Sequence, residues 1–136
     1  MAKPLALTLG EPAGIGPDIT IRAWQRRKEA QLQPFYLIGD VAFISRRARA
    51  LGVDLPLAEV GPQDAATAFA ECLPVVATGD VVTARPGHPD DSSANAALAS
   101  IRRAVAAGRK SKAEADSLKT AVRDAADRLA AADPRI

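Results

Sequence analysis

The residue types best suited to chemistry sit in one run, Gly10-Glu11-Pro12-Ala13-Gly14-Ile15-Gly16, followed by Pro17 and Asp18. A glycine-rich turn that opens a helix exposes backbone amides and the positive end of the helix dipole, and both favour an anion such as phosphate. Gly14-Ile15-Gly16-Pro17-Asp18-Ile19 is not a dinucleotide fingerprint, because Ile19 stands where the third glycine belongs. It is not a Walker A loop either, since no Gly-Lys-Ser/Thr follows. From chemistry alone the run reads either as a plain structural turn or as a ligand-facing loop.

Other candidates are weaker. His88, the one histidine, lies in Pro86-Gly87-His88-Pro89-Asp90-Asp91. Neighbouring residues of an extended segment point in opposite directions, so this set makes a poor metal site, and His88 reads as an exposed loop residue. General acid–base work by His88 needs a partner that the sequence does not identify. Cys72 is the one cysteine, so it forms no internal disulfide and no metal cluster alone. It reads as a small buried side chain in a reducing, cytoplasmic compartment. Trp24 reads as packed against a sheet, and Arg26-Arg27-Lys28 as a solvated helix face. No nucleophile elbow and no Ser-His-Asp set is present.

The elements that would position these residues alternate between strand and helix. Pro4–Leu9 is a short apolar run that reads as a central, parallel strand. Pro17 suits a first helical turn, and the helix is expected to reach about Gln31 with Ile19, Ala23 and Trp24 inward. Phe35–Ile38 is a second strand. Asp40 caps a helix that keeps Val41, Ile44, Ala48 and Leu51 on one face, leaves Arg46, Arg47 and Arg49 mostly wet, and stops at Gly52. Leu57–Val60 is a third strand, 61–73 is ambiguous between loop and short helix, and Val75–Ala77 is a fourth strand. After a loop, Ser92 or Ser93 caps a helix with Ala94, Ala97, Leu98, Ile101 and Val105 on one face, ended by Gly108. A last helix from about Asp116 carries Leu118, Ala121, Val122, Ala125 and Leu129. This order predicts an α/β fold, a three-layer α/β/α sandwich with a mostly parallel sheet, as one domain over 1–136.

Composition agrees with a globular domain and excludes other classes. Of 136 residues, 48% are hydrophobic but only 4% aromatic, so the core relies on close helix packing. Basic and acidic residues total 18 and 16, which is too even for a nucleic-acid surface. No apolar run approaches the ~18 residues of a membrane span, and the N-terminus has no signal core.

The stretch Pro4-Leu5-Ala6-Leu7-Thr8-Leu9-Gly10-Glu11-Pro12-Ala13-Gly14-Ile15-Gly16-Pro17-Asp18 closely resembles the N-terminus of the 4-hydroxythreonine-4-phosphate dehydrogenases of the vitamin B6 pathway. That family has the isocitrate/isopropylmalate dehydrogenase-like fold. It usually carries Asp at the position of Glu11 and Glu at that of Asp18, and both departures keep the charge. Further matches are Tyr36-Leu37-Ile38-Gly39-Asp40, Gly87-His88-Pro89 leading into Ser93-Ala94-Asn95-Ala96, and Ile101-Arg102-Arg103-Ala104-Val105. The resemblance covers residues 1–108 and implies the first domain of that fold. It also implies that Gly10, Glu11, Pro12, Ala13, Gly14, Ile15 and Gly16 form a loop at the rim of an NAD cleft.

The family chain is over twice as long. Ala115-Asp116-Ser117-Leu118-Lys119-Thr120-Ala121-Val122-Arg123 resembles its C-terminal helix, so the second domain is expected to be missing, with a junction at 109–113 and a returning helix over 114–136. The family performs NAD-dependent oxidation of 4-phosphohydroxy-L-threonine, followed by decarboxylation. Its metal-binding histidines belong to the missing domain, so this chain is expected to hold no divalent metal, to bind NAD weakly or not at all, and to be inactive alone. No catalytic residue is assigned, and no substrate role passes to His88, because the family's Pro-Gly-His lies elsewhere. The alternatives are an active oxidoreductase with a partner or a rebuilt site, and a stand-alone or designed scaffold with at most weak nucleotide or phosphate binding. Apolar surface uncovered by the loss of domain two makes self-association the expected partnership, with neither nucleic acid nor membrane.

Overall fold

The computed structural model describes residues 3–108 and the helix 112–132, with side chains of that helix from residue 119 onward. The expected junction at 109–113 falls mainly outside the described residues, as does the side chain of Leu118. The order is β1 (Leu5–Thr8), α1 (Gly16–Gln25), β2 (Phe35–Gly39), α2 (Val41–Ala50), β3 (Leu57–Glu59), a 3-10 turn (Pro62–Asp64), α3 (Ala65–Ala68), β4 (Leu73–Ala77), α4 (Asp91–Gly108) and α5 (Lys112–Ala132). The four strands form one parallel sheet in the order β1-β2-β4-β3.

The period-two alternation of β2 divides the core. Phe35 and Leu37 join Ile21, Trp24, Phe43 and Ile44 on the face covered by α1 and α2. Tyr36 and Ile38 join Ala6, Ala65, Val76 and Ala104 on the face covered by α3 and α4. The three-layer α/β/α reading therefore holds.

Several expectations change. β1 is an edge strand, not a central one, because among the described residues only β2 pairs with it. Its apolar character comes from helices packed around it: α4 and α5 both contact it. Helix α1 ends at Gln25, short of Gln31. The chain turns there as Arg27 N–H donates to Trp24 O and Leu32 N–H to Arg27 O, with Gln31 at φ 52°. Trp24 packs inward as expected; its indole N–H donates to Phe69 O at 2.9 Å, and Arg27 lies 3.7 Å over its ring. Ile19 is only half-buried. Cys72 is likewise half-buried, not fully.

Helix α4 turns a different face inward than its apolar spacing suggested. Its buried residues are Ser93, Ala96, Ser100 and Ala104, whereas Leu98, Ile101 and Val105 are about half exposed, at 51%, 48% and 50%. Small side chains let the helix lie close to the sheet, and the larger apolar stripe points away. The cap also differs. Asp90 Oδ1 accepts from Ser93 N–H at 3.1 Å, while Asp90 N–H donates to Ser93 Oγ at 3.0 Å, so Asp90 is the cap and Ser93 its reciprocal partner.

Candidate functional site

The carboxyl ends of β1, β2 and β4 lie along one edge of the sheet, where open parallel sheets hold their ligands. The loop after β1 is built from local necessity. Gly10 takes φ 67°, a left-handed value that glycine adopts without penalty. Glu11 closes the turn twice: its Oε1 accepts from Ala13 N–H at 3.0 Å, and its carbonyl accepts from Gly14 N–H at 2.9 Å. A Cβ on Gly16 would stand 3.0 Å from Leu9 O, so this glycine lets α1 start tight against the end of β1.

Arg47 holds the loop from beneath. Its side chain is only 4% exposed. Nη2 donates to Pro12 O at 2.6 Å, and Nη1 donates to Gly14 O at 3.0 Å and to Asp18 Oδ1 at 2.8 Å. The guanidinium thus pins two loop carbonyls and a first-turn carboxylate with charge-assisted bonds. This overturns its placement on the wet face of α2. The signal was present: Arg47 stands three and four residues after Ile44 and Phe43 and directly before Ala48, which are all buried.

The second wall is the segment after β4. Asp40 caps α2 through Ala42 N–H at 3.1 Å and also accepts Val82 N–H at 3.0 Å, while Arg46 donates to Val82 O. Val82 is fully buried as a result. A turn then closes from Arg85 to His88, with His88 N–H donating to Arg85 O at 2.9 Å. At its tip, Gly87 (φ 78°) donates its N–H to Ala13 O at 2.7 Å. The fold therefore brings the Pro86-Gly87-His88 turn against the Gly10–Gly16 loop, a juxtaposition that the sequence did not reveal.

The chemistry available here is limited. The amides of Ala13 and Gly14 are spent on Glu11, and that of Leu9 on Ser100. Pro12 and Pro17 have none to give. The carboxylate of Asp18 is paired with the buried Arg47 guanidinium, and that of Glu11 accepts the Ala13 amide. Asp90 is committed to α4: the Ser92 hydroxyl bond first, and then the Ser93 amide, hold its carboxyl below the ordinary aspartate value. Among the described residues no group of three His, Cys, Asp or Glu is placed to hold a metal ion. Nor is any described helix long and apolar enough to cross a membrane.

The chain matches no family model. It is 61% identical over 122 residues to the 4-hydroxythreonine-4-phosphate dehydrogenase of Bradyrhizobium diazoefficiens, a match covering 84% of this chain and 35% of the relative. Against the enzyme of the same name from Xanthobacter autotrophicus it is 53% identical over 102 residues, 75% of this chain and 29% of the relative. A crystal structure of a 4-hydroxythreonine-4-phosphate dehydrogenase from Burkholderia phymatum superposes with a TM-score of 0.66 at 20% identity, over 80% of this chain and 33% of that one, which shows the shared fold. The Klebsiella pneumoniae structure of the same name gives a TM-score of 0.57 at 26% identity, over 78% of this chain and 33% of that one. The chain thus spans about a third of the length of the relatives it matches.

Proposed function

We propose that this chain, a partial counterpart of the 4-hydroxythreonine-4-phosphate dehydrogenases, supplies the first-domain wall of their cleft and does not turn over substrate as a lone chain. The observation that carries this reading is the bond from Gly87 N–H to Ala13 O, which joins the loops after β1 and β4 into one rim at the carboxyl edge of the sheet. Cofactors commonly lie between two walls, and a single wall binds weakly. The oxidation of 4-phosphohydroxy-L-threonine with NAD and a divalent metal then belongs to a complete cleft. A reducing cytoplasm suits such a biosynthetic role and the single thiol of Cys72.

A second reading, an α/β scaffold with at most weak nucleotide or phosphate binding, is favoured by the internal use of the loop: Gly14 N–H is spent on Glu11 O, and Gly16 serves the close approach of Leu9 O.

A thermal-shift titration with NAD, with and without magnesium or zinc, tests the cofactor claim. A ligand at a hundredfold excess over its Kd adds about 2.7 kcal/mol to stability. The expected result at millimolar NAD is a far smaller shift, together with no NADH formed from 4-phosphohydroxy-L-threonine. Turnover by the lone chain would overturn the proposal, and no shift at all would favour the scaffold.

A further inference from the structure

Three successive carbonyls of the loop after β1 are held by donors from elsewhere in the fold. Arg47 donates to Pro12 O and Gly14 O, and Gly87 N–H donates to Ala13 O between them. In the segment after β4, both backbone groups of Val82 are held from α2: Asp40 Oδ2 accepts its N–H, and Arg46 donates to its carbonyl. Sheet order explains why one helix reaches both places. β2 lies between β1 and β4, and α2 leaves the carboxyl end of β2 through Asp40. Neighbouring residues of a helix leave its axis about 100° apart. Arg46 and Arg47 therefore divide between the two sides, one to each segment. Their guanidinium groups share the ring of the buried Phe43, at 6.0 and 5.3 Å from its centroid.

These bonds close a circuit. It runs from α2 to Val82, along the chain to Gly87, across to Ala13, and back through Pro12 and Gly14 to α2. The stretch from Val82 to Gly87 is short and anchored, with Ala84 buried and the turn at Arg85 closed by His88 N–H. A link in such a circuit does not lengthen without displacing the others, and contiguous bonded networks of this kind carry coupling between sites. We propose that the loop after β1 and the segment after β4 open as one cooperative unit jointed on α2. Arg46 is then a positioning residue for the Gly10–Gly16 loop, although its own bond goes to Val82. A ligand that orders either segment orders both. This inference goes beyond the wall reading above and stands whether or not a dinucleotide binds there.

The test is amide hydrogen exchange of the full chain, read by NMR at Gly14, Val82 and Leu37. Leu37 is fully buried in the middle of the sheet and reports global unfolding. In the parent chain Gly14 and Val82 should share one protection factor, lower than that of Leu37. Arg46→Met, at an exposed position, should quicken Gly14 and Val82 by the same factor, roughly tenfold. Arg46→Lys keeps a donor and should restore much of the protection at both amides. Arg47→Lys disturbs the other side of the joint and should quicken Val82 together with Gly14. Quickening of Val82 alone in Arg46→Met, or of Gly14 alone in Arg47→Lys, overturns the proposal. So does an Arg46→Met chain in which neither amide changes, because Arg46 then positions neither segment. Equal protection of all three amides in the parent chain overturns it as well, since the rim would have no opening of its own.

Discussion

Ser100 Oγ accepts the N–H of Leu9 at 2.8 Å and donates to the carbonyl of Ile38 at 2.8 Å. The β1–β2 register would pair that amide and that carbonyl directly in the next rung of the ladder. The hydroxyl takes the place of the missing rung, so β1 and β2 part by the width of one oxygen atom and the chain bends into Gly10. A residue of α4, distant in sequence, thereby sets where the candidate loop begins.

Replacing Ser100 with Ala should cost roughly 1–3 kcal/mol, because Leu9 N–H and Ile38 O lose their shared partner in a buried place. Urea unfolding checks this. An unchanged midpoint would mean that the two groups pair directly once the hydroxyl is gone.

Arg47→Met should lower stability by about 3–5 kcal/mol, since it strips the carbonyls of Pro12 and Gly14 of a buried donor and leaves Asp18 unpaired. Arg47→Lys should recover only part of the loss, because one ammonium does not reproduce the planar fork. Hydrogen exchange at Gly14 N–H should quicken in both variants; wild-type exchange there would show that the loop holds its shape without the guanidinium.

Gly10 takes φ 67° with nothing within 4 Å of a built Cβ, so only the backbone conformation restricts this site. Gly10→Ala should cost about 1 kcal/mol, and Gly10→Asn should cost less, since asparagine tolerates the left-handed region. Denaturation midpoints give the order, and a reversed order would contradict the left-handed turn.

Acid should loosen the start of α4. The carboxyl of Asp90 is lowered in the folded chain by the Ser92 hydroxyl and the Ser93 amide, so its contribution is complete above the ordinary aspartate value and is lost as the pH falls through the lowered folded value. Asp90→Asn keeps an acceptor oxygen that does not titrate. Between neutral pH and about pH 3 its Tm should fall less than that of the parent chain. Equal falls in the two proteins would remove Asp90 from the acid response.

Much of this fold could be read from residue patterns, and the failures have physical causes. The Phe35–Ile38 run, the Asp40 cap and the inward placing of Ile44 and Ala48 on α2 followed from local periodicity and hydrogen-bonding capacity, and the structure has them where expected. On α4 the same reasoning chose the wrong face, because it weighs hydrophobicity and not size: Ser93 and Ser100 are polar, yet their hydroxyls find partners and their bulk fits the gap over the sheet. For Arg47 the charge outweighed a spacing that put it among Phe43, Ile44 and Ala48. In the candidate site the loop Gly10–Gly16 was visible from its glycines and prolines. The contact between Gly87 and Ala13 was not, since it depends on how two distant loops meet at the sheet edge.

The setting of Trp24 gives the chain its own optical gauge. It is the only tryptophan, 6% exposed, with its indole N–H held by Phe69 O and one ring face covered by the Arg27 guanidinium. Its emission therefore reports a single seam, where α1 meets the residues that follow α3. A shift toward the red, or quenching by a small neutral solute, would register the parting of that seam, whether or not the sheet beneath it had melted.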